Sequence, residues 1–85
     1  MEKYIGEIRL FVGDYAPEDW HICDGTVLPI SGNEALYAVI GTTYGGDGIR
    51  TFALPDLKDI LHDNKRPFPA ISYIIAMKGA YPLSE

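Results

Sequence analysis

Near the start of the chain, apolar and polar positions alternate. Ile8, Leu10 and Val12 interleave with Glu7, Arg9 and Phe11. A period of two predicts a strand over residues 5–12. Gly13-Asp14 ends it, and Ala16-Pro17 reads as a loop. Trp20, Ile22 and Cys23 form a second short strand. Asp24-Gly25 then stands between Ile22-Cys23 and Val27-Leu28. That spacing predicts a hairpin with a two-residue type I′ turn, which needs positive φ at both positions.

The period then changes. Ser31-Gly32-Asn33-Glu34 has the spacing of a capping box, in which Ser31 and Glu34 satisfy each other's backbone N–H groups. Ile30, just before it, is placed to staple onto Ala35 or a neighbour on that turn. A short helix over about 32–40 follows, with Leu36, Val39 and Ile40 on one face and Gly41 as the stop. Such a helix is too short to be stable alone and must dock on the sheet. Residues 42–50 form a glycine-rich loop. Thr51 to Leu54 is a short strand, broken by Pro55-Asp56. Residues 58–66 mix charges ahead of Pro67 and Pro69 and read as a connector. The last strand is residues 70–77. Ile71, Tyr73, Ile75 and Met77 line one face, with Ile74 and Ala76 on the other. A strand apolar on both faces is central, or is covered by a partner chain. The expected fold class is α+β: a small antiparallel or mixed sheet of four to five short strands with one helix packed on it.

Eighty-five residues make one domain, residues 1–85, near the lower size limit for an independent core. Hydrophobic residues make up 47%, enough for a folded chain and high for its size. That excess predicts burial against other subunits, a usual aid to small domains. Net charge is −5, with seven acids and two bases in residues 1–42 and five of each in residues 43–85. An acidic half argues against nucleic-acid binding and against attachment to anionic lipid. Met1 to Tyr4 lacks the basic segment and long apolar run of a signal peptide, and no stretch has the ~20 apolar residues of a membrane span. The expectation is synthesis in the cytosol with no membrane insertion.

The chemistry-bearing residues are few. Tyr44-Gly45-Gly46-Asp47-Gly48 lacks the Gly-Lys-Ser/Thr of a phosphate loop and opens no helix. Its glycines suit close backbone approach, Asp47 can close an Asx turn, and Arg50 can pair with Asp47 or Asp56. Trp20 and Asp24 have the makings of a sugar site, an indole face beside a carboxylate. Trp20 as core and Asp24 as a turn residue is the favoured reading, because Asp24-Gly25 already has a turn role. His21 and His62 have no ligand spacing around them, so no metal site is expected. Cys23 cannot form an internal disulfide, and nothing orients His21 to activate it. Glu18-Asp19 and Asp56/Asp59 read as loop and turn charges rather than an acid–base pair.

The ordered set of segments resembles the tail collar domain of bacteriophage tail fibres. Gly6-Glu7-Ile8 with Phe11, Ala16-Pro17, Trp20 and Cys23-Asp24-Gly25 follow the family's opening. Leu28-Pro29-Ile30-Ser31 and Ala35-Leu36 match the segment into the helix. The family's Leu-Gly-Thr-Thr-Tyr-Gly-Gly-Asp-Gly corresponds to Ile40 to Gly48, followed by Thr51 to Leu57. Ile71 to Ala76, Gly79 and Pro82 resemble its closing strand. The chain departs from the pattern in three places. Asp19 stands where relatives have glycine before the tryptophan. Lys58-Asp59 replaces Arg-Gly. Only residues 58–70 fill the place of a long variable insertion, which carries zinc-binding histidines in some fibres.

The resemblance implies a non-enzymatic structural module with no cofactor, assembled as a homotrimer with other tail or baseplate proteins in a phage tail or phage-derived particle. The alternative is a small lectin-like adhesin for a cell-surface glycan. Its ligand would contact Trp20, Asp24, Tyr44, Asp47 and Arg50.

Overall fold

The structure, a computed structural model, describes residues 3–13, 15–57 and 71–81. Along the chain lie β1 (Ile8–Val12), β2 (Trp20–Ile22), β3 (Val27–Pro29), α1 (Glu34–Ile40), β4 (Thr51–Ala53) and β5 (Ile71–Ala76). The α+β class and the five short strands match the expectation. The strands divide between two antiparallel sheets, one ordered β1-β5-β2 and the other β3-β4. The expected connector at residues 58–66 lies outside the described residues.

β5 is central, one of the two outcomes its two apolar faces allowed. Ile74, Ile75 and Ala76 are buried, with β1 and β2 paired on either side. The core gathers Ile5, Cys23, Leu36, Phe52, Leu54 and Ile75, so both sheets and the helix contribute to it. Each large side chain buried there stabilises the fold by about 1.5–3 kcal/mol. The helix is anchored through Leu36 and Ile40, while Val39 is 37% exposed and lies over Gly6. Gly41 ends the helix at φ 54, its N–H bonded to the Tyr37 carbonyl. Among the described residues no helix is long and apolar enough to cross a membrane.

Three local expectations are corrected. First, β2 and β3 do not form a hairpin. β2 pairs with β5 and β3 with β4, so the chain changes sheets at Asp24-Gly25. Gly25 has φ 81, but Asp24 is not in the positive-φ region, so this is no type I′ turn. The Asp24 carboxylate accepts from the Thr26 N–H at 3.0 Å and from the Thr26 hydroxyl, and the Gly25 N–H reaches the Pro55 carbonyl. Local turn propensity therefore serves a crossing between sheets.

Second, the capping box does not form. The N-cap is Asn33, whose side chain donates to the Pro29 carbonyl at 2.9 Å and makes no cap bond. Its backbone N–H is taken by Ile30 O, so a turn at Ser31-Gly32 replaces the first helical turn. Third, residues 5–6 are not strand. Glu7 N–H bonds to Tyr4 O in a turn, and Ile5 N–H bonds to Ala80 O. This pins the start of the chain to the segment after β5.

In β1 the period of two is right, yet the apolar row faces outward. Leu10 is 57% and Val12 78% exposed, whereas Arg9 and Phe11 are half-buried. The Ile8–Leu10–Val12 row shares a face with Tyr73 and Ile75. The helix and second sheet cover that face over Ile75 and leave it open over Leu10 and Val12.

Candidate functional site

The glycine-rich loop is built around one carboxylate. Asp47 Oδ1 accepts from the backbone N–H groups of Ile49 and Arg50, both at 2.8 Å, and of Thr51 at 3.0 Å. The Asp47 N–H in turn donates to the Thr51 hydroxyl. Bonds from the N–H groups of Arg50, Ile49 and Thr51 stabilise the ionised form and hold Asp47 well below the usual carboxylate range. Gly46 lies flat on β4. A Cβ there would come within 2.3 Å of Phe52 Cα, and its φ of 94 also favours glycine. The Ala53 N–H bonds Gly45 O, and Gly48 N–H bonds Thr51 O, so the loop covers the free side of β4. The Tyr37 hydroxyl reaches Gly48 O and Tyr37 packs edge-on against Phe52, tying the loop to the helix and core. The loop presents Tyr44, Ile49 and Arg50 to solvent, Ile49 being 81% exposed.

The five residues suggested for ligand contact are not gathered at one point. Asp47 and Arg50 meet, through the Arg50 backbone N–H. Asp24 sits at the other end of the β3–β4 ladder, in a bridge with Asp56. Thr51 and Asp56 mark the two ends, five residues or roughly 17 Å apart along the chain. Burial pushes the Asp24 carboxyl up. Its bonds from the Thr26 hydroxyl and N–H, with the nearby His21, more than offset this and leave it below its ordinary value.

Trp20 is half-buried, and the Arg9 guanidinium lies 5.4 Å over its ring. Arg9 in turn bonds Glu7, whose other oxygen accepts from the Tyr4 N–H. The Arg9 side-chain bond and the Tyr4 N–H lower the Glu7 pKa. One face of the indole is thus occupied by a cation–π contact. The sequence reading missed this trio. The signal for it was the pairing pattern, because Arg9 and Trp20 share a face only once both strands flank β5.

Cys23 is buried, and burial with the adjacent Asp24 pushes its thiol up to about 11, which makes it a poor nucleophile at neutral pH. The His21 ring contacts the Ile22 carbonyl through Nδ1 at 2.8 Å. Among the described residues no three His, Cys, Asp or Glu side chains cluster as metal ligands. A shallow groove of about 420 Å³ runs between the start of α1 and the segment after β5, lined by Ile5, Asn33, Glu34, Leu36, Met77 and Lys78 among others. It includes none of the five suggested residues.

No curated protein matches the chain at a significant level. The family model of the phage tail collar domain matches residues 6–61. This span contains the sheet crossing at Asp24, the helix, the Asp47-centred loop and β4. With more than half of its length matched, the chain belongs to the phage tail collar domain family.

Proposed function

We propose that the chain is a non-enzymatic structural module of a phage tail fibre or phage-derived particle, folded as one domain over residues 1–85. In this reading it is made in the bacterial cytoplasm and joined to copies of itself and to other tail or baseplate proteins. The observation that carries the reading is the family match over residues 6–61. The architecture supports it. The glycine-rich loop spends its main polar group, the Asp47 carboxylate, on its own backbone, and Cys23 is buried and poorly ionised. Large exposed apolar side chains on so small a domain suit burial between subunits. The resemblance favours three copies.

The test is mass spectrometry and immunogold labelling of particles purified from the bacterium that carries the gene. The chain is expected at a few copies per particle, at the tail. Purified intact tails that lack it would overturn the reading.

The lectin-like alternative rests on Tyr44, 46% exposed on a loop with the exposed Arg50. A glycan array on wild type and on folded Tyr44→Ala separates the two. Binding lost in the variant favours the adhesin.

A further inference from the structure

The segment leading into β1 and the segment following β5 lie side by side. Tyr4 and Ala80 form an isolated parallel bridge. The Ala80 N–H donates to Lys3 O at 3.0 Å, and the Ile5 N–H donates to Ala80 O at 2.8 Å. Both main-chain groups of Ala80 are thus bonded to the segment ahead of β1. Gly79 makes this approach possible. A Cβ there would lie 2.6 Å from Lys3 O and 3.1 Å from Ile5 N, and its φ is 151. Asp19 braces the same junction. Its carbonyl accepts from the Met77 N–H at 2.8 Å, and its carboxylate pairs with Lys3 at 3.7 Å.

Chain direction reverses within these few residues. β5 runs antiparallel to β1, and bonds of that ladder continue beyond the strands: Gly6 N–H donates to Ala76 O and Ala76 N–H to Glu7 O. Residues 77–79 then turn, and Ala80 runs parallel to Tyr4. Opposite pulls on Lys3 and Tyr81 therefore meet two geometries. In the antiparallel ladder both pulled strands leave from the same end, so its bonds open one after another, as in a zipper. In the parallel bridge the pulled strands leave from opposite ends. They must slide past each other, and both slanted bonds carry the pull together.

We propose that the Tyr4–Ala80 bridge is a tension clasp. It takes a pull applied along the main chain in shear and keeps that pull off the β1–β5 zipper and the core behind it. The proposal rests on the reading of the chain as a tail-fibre module, in which pull reaches the domain along its main chain, and its failure leaves that reading standing. Ile5, which donates one of the two bonds, is also a buried core residue. Sliding at the clasp drags Ile5 out of its packing, so clasp and core give way in one step. Without the clasp, load falls first on the Gly6 and Glu7 bonds, and β1 peels from β5 residue by residue.

The two routes differ in how far the chain moves before it yields. A pair of hydrogen bonds loaded together is lost within roughly 1 Å of sliding. Opening one residue pair of a zipper lets out about 7 Å of chain. Load lowers a barrier by force times that distance, so the unfolding rate of a zipper climbs far more steeply with force. Constant-force spectroscopy of the full chain, held by handles at its two ends, tests the proposal. Wild type is expected to unfold in one step with a shallow force dependence. Ala80→Pro removes the N–H given to Lys3 O and leaves the β1–β5 ladder in place. Its force dependence is expected to be at least about twofold steeper. Leu54→Ala, a core truncation away from the bridge, is expected to shorten lifetimes at every force without changing the steepness.

Equal steepness in wild type and folded Ala80→Pro overturns the clasp. So does an increase in Leu54→Ala as large as that in Ala80→Pro, because general destabilisation then accounts for both. If Ala80→Pro does not fold, the wild-type records decide. A single step with shallow force dependence supports the clasp. Release of the chain in successive small steps, steeply dependent on force, shows that the ends unzip and overturns it.

Discussion

β5 lies between two strands, and its Ile75 and Ala76 are fully buried. β4 has a strand on one side only, and a loop of main chain laid against the other. The first arrangement is held by side chains from distant parts of the sequence. The second is held by one carboxylate and by glycines that let backbone touch backbone. The difference shows in what each region exposes. The three-stranded sheet leaves an apolar edge row open on β1. The loop leaves β4 no open edge, and it displays Tyr44, Ile49 and Arg50 on a polar-braced tip. A side-chain core tolerates change wherever it is exposed. At Gly46 the main-chain contact leaves no room for an added Cβ.

The largest effect should come from breaking that main-chain contact. Gly46→Val places a branched side chain at positive φ and into the backbone of Phe52. The two penalties together are expected to cost on the order of 4 kcal/mol. That is a large share of the stability of a domain this small, and chemical denaturation reads it directly. A midpoint near wild type would mean the loop does not lie on β4.

The side-chain counterpart is Ile75→Ala, expected to cost about 2–5 kcal/mol through the cavity it leaves. Leu10→Ala on the neighbouring strand should change stability by no more than ~0.5 kcal/mol when measured on dilute, separate chains. Equal losses at the two positions would show that the β1 row is buried in the domain after all.

A milder test sharpens the polar side of the comparison. The folded-state pKa of Asp47 is depressed. Its contribution is therefore fully present above the unfolded carboxylate value of about 3.9 and is lost as pH falls toward the folded one. The wild-type urea midpoint should decline below about pH 4. Asp47→Asn should lower the midpoint at pH 7 and converge with wild type as the carboxyl protonates. The depressed Asp24 adds a residual slope of the same sign in both proteins. Parallel curves for the two proteins at every pH would remove Asp47 as the brace of the loop.

The smallest effect concerns Asp19, which holds φ 69. A left-handed non-glycine residue costs roughly 1–2 kcal/mol, less for aspartate, whose side chain tolerates the region. Its ion pair with Lys3, at 3.7 Å and partly exposed, returns little of this. Asp19→Gly is expected to raise the thermal midpoint slightly. A fall would show that the Lys3 pair outweighs the strain.

Much was legible in the sequence wherever a short-range rule decides the outcome. The period of two marked β1 and β5, the two-faced apolar run left β5 either central or covered by a partner, Gly41 marked the helix end, and the Gly-rich run ahead of Thr51 marked a loop in which Asp47 could close a turn. The candidate ligand residues were legible as exposed or polar-braced chemistry, but not as neighbours. Asp24 and Asp47 look like parts of one site until the β3–β4 ladder sets them at its opposite ends.

What local pattern could not decide was partnership. Asp24-Gly25 has the composition of a hairpin turn, yet β2 pairs with the central β5 and β3 with β4, and the turn becomes a crossing. Ser31 has the spacing of a cap, yet a turn at Ser31-Gly32 intervenes and Asn33 takes the position. Periodicity shows that Ile8, Leu10 and Val12 share a face and cannot say which face is covered. That depended on where the helix and second sheet came to rest, over Ile75 and short of Leu10. The sequence by itself determined element type, because φ/ψ preference and side-chain period are local. Only the tertiary structure decided which strands pair and which apolar row stays open, because burial is shared among segments far apart in the chain.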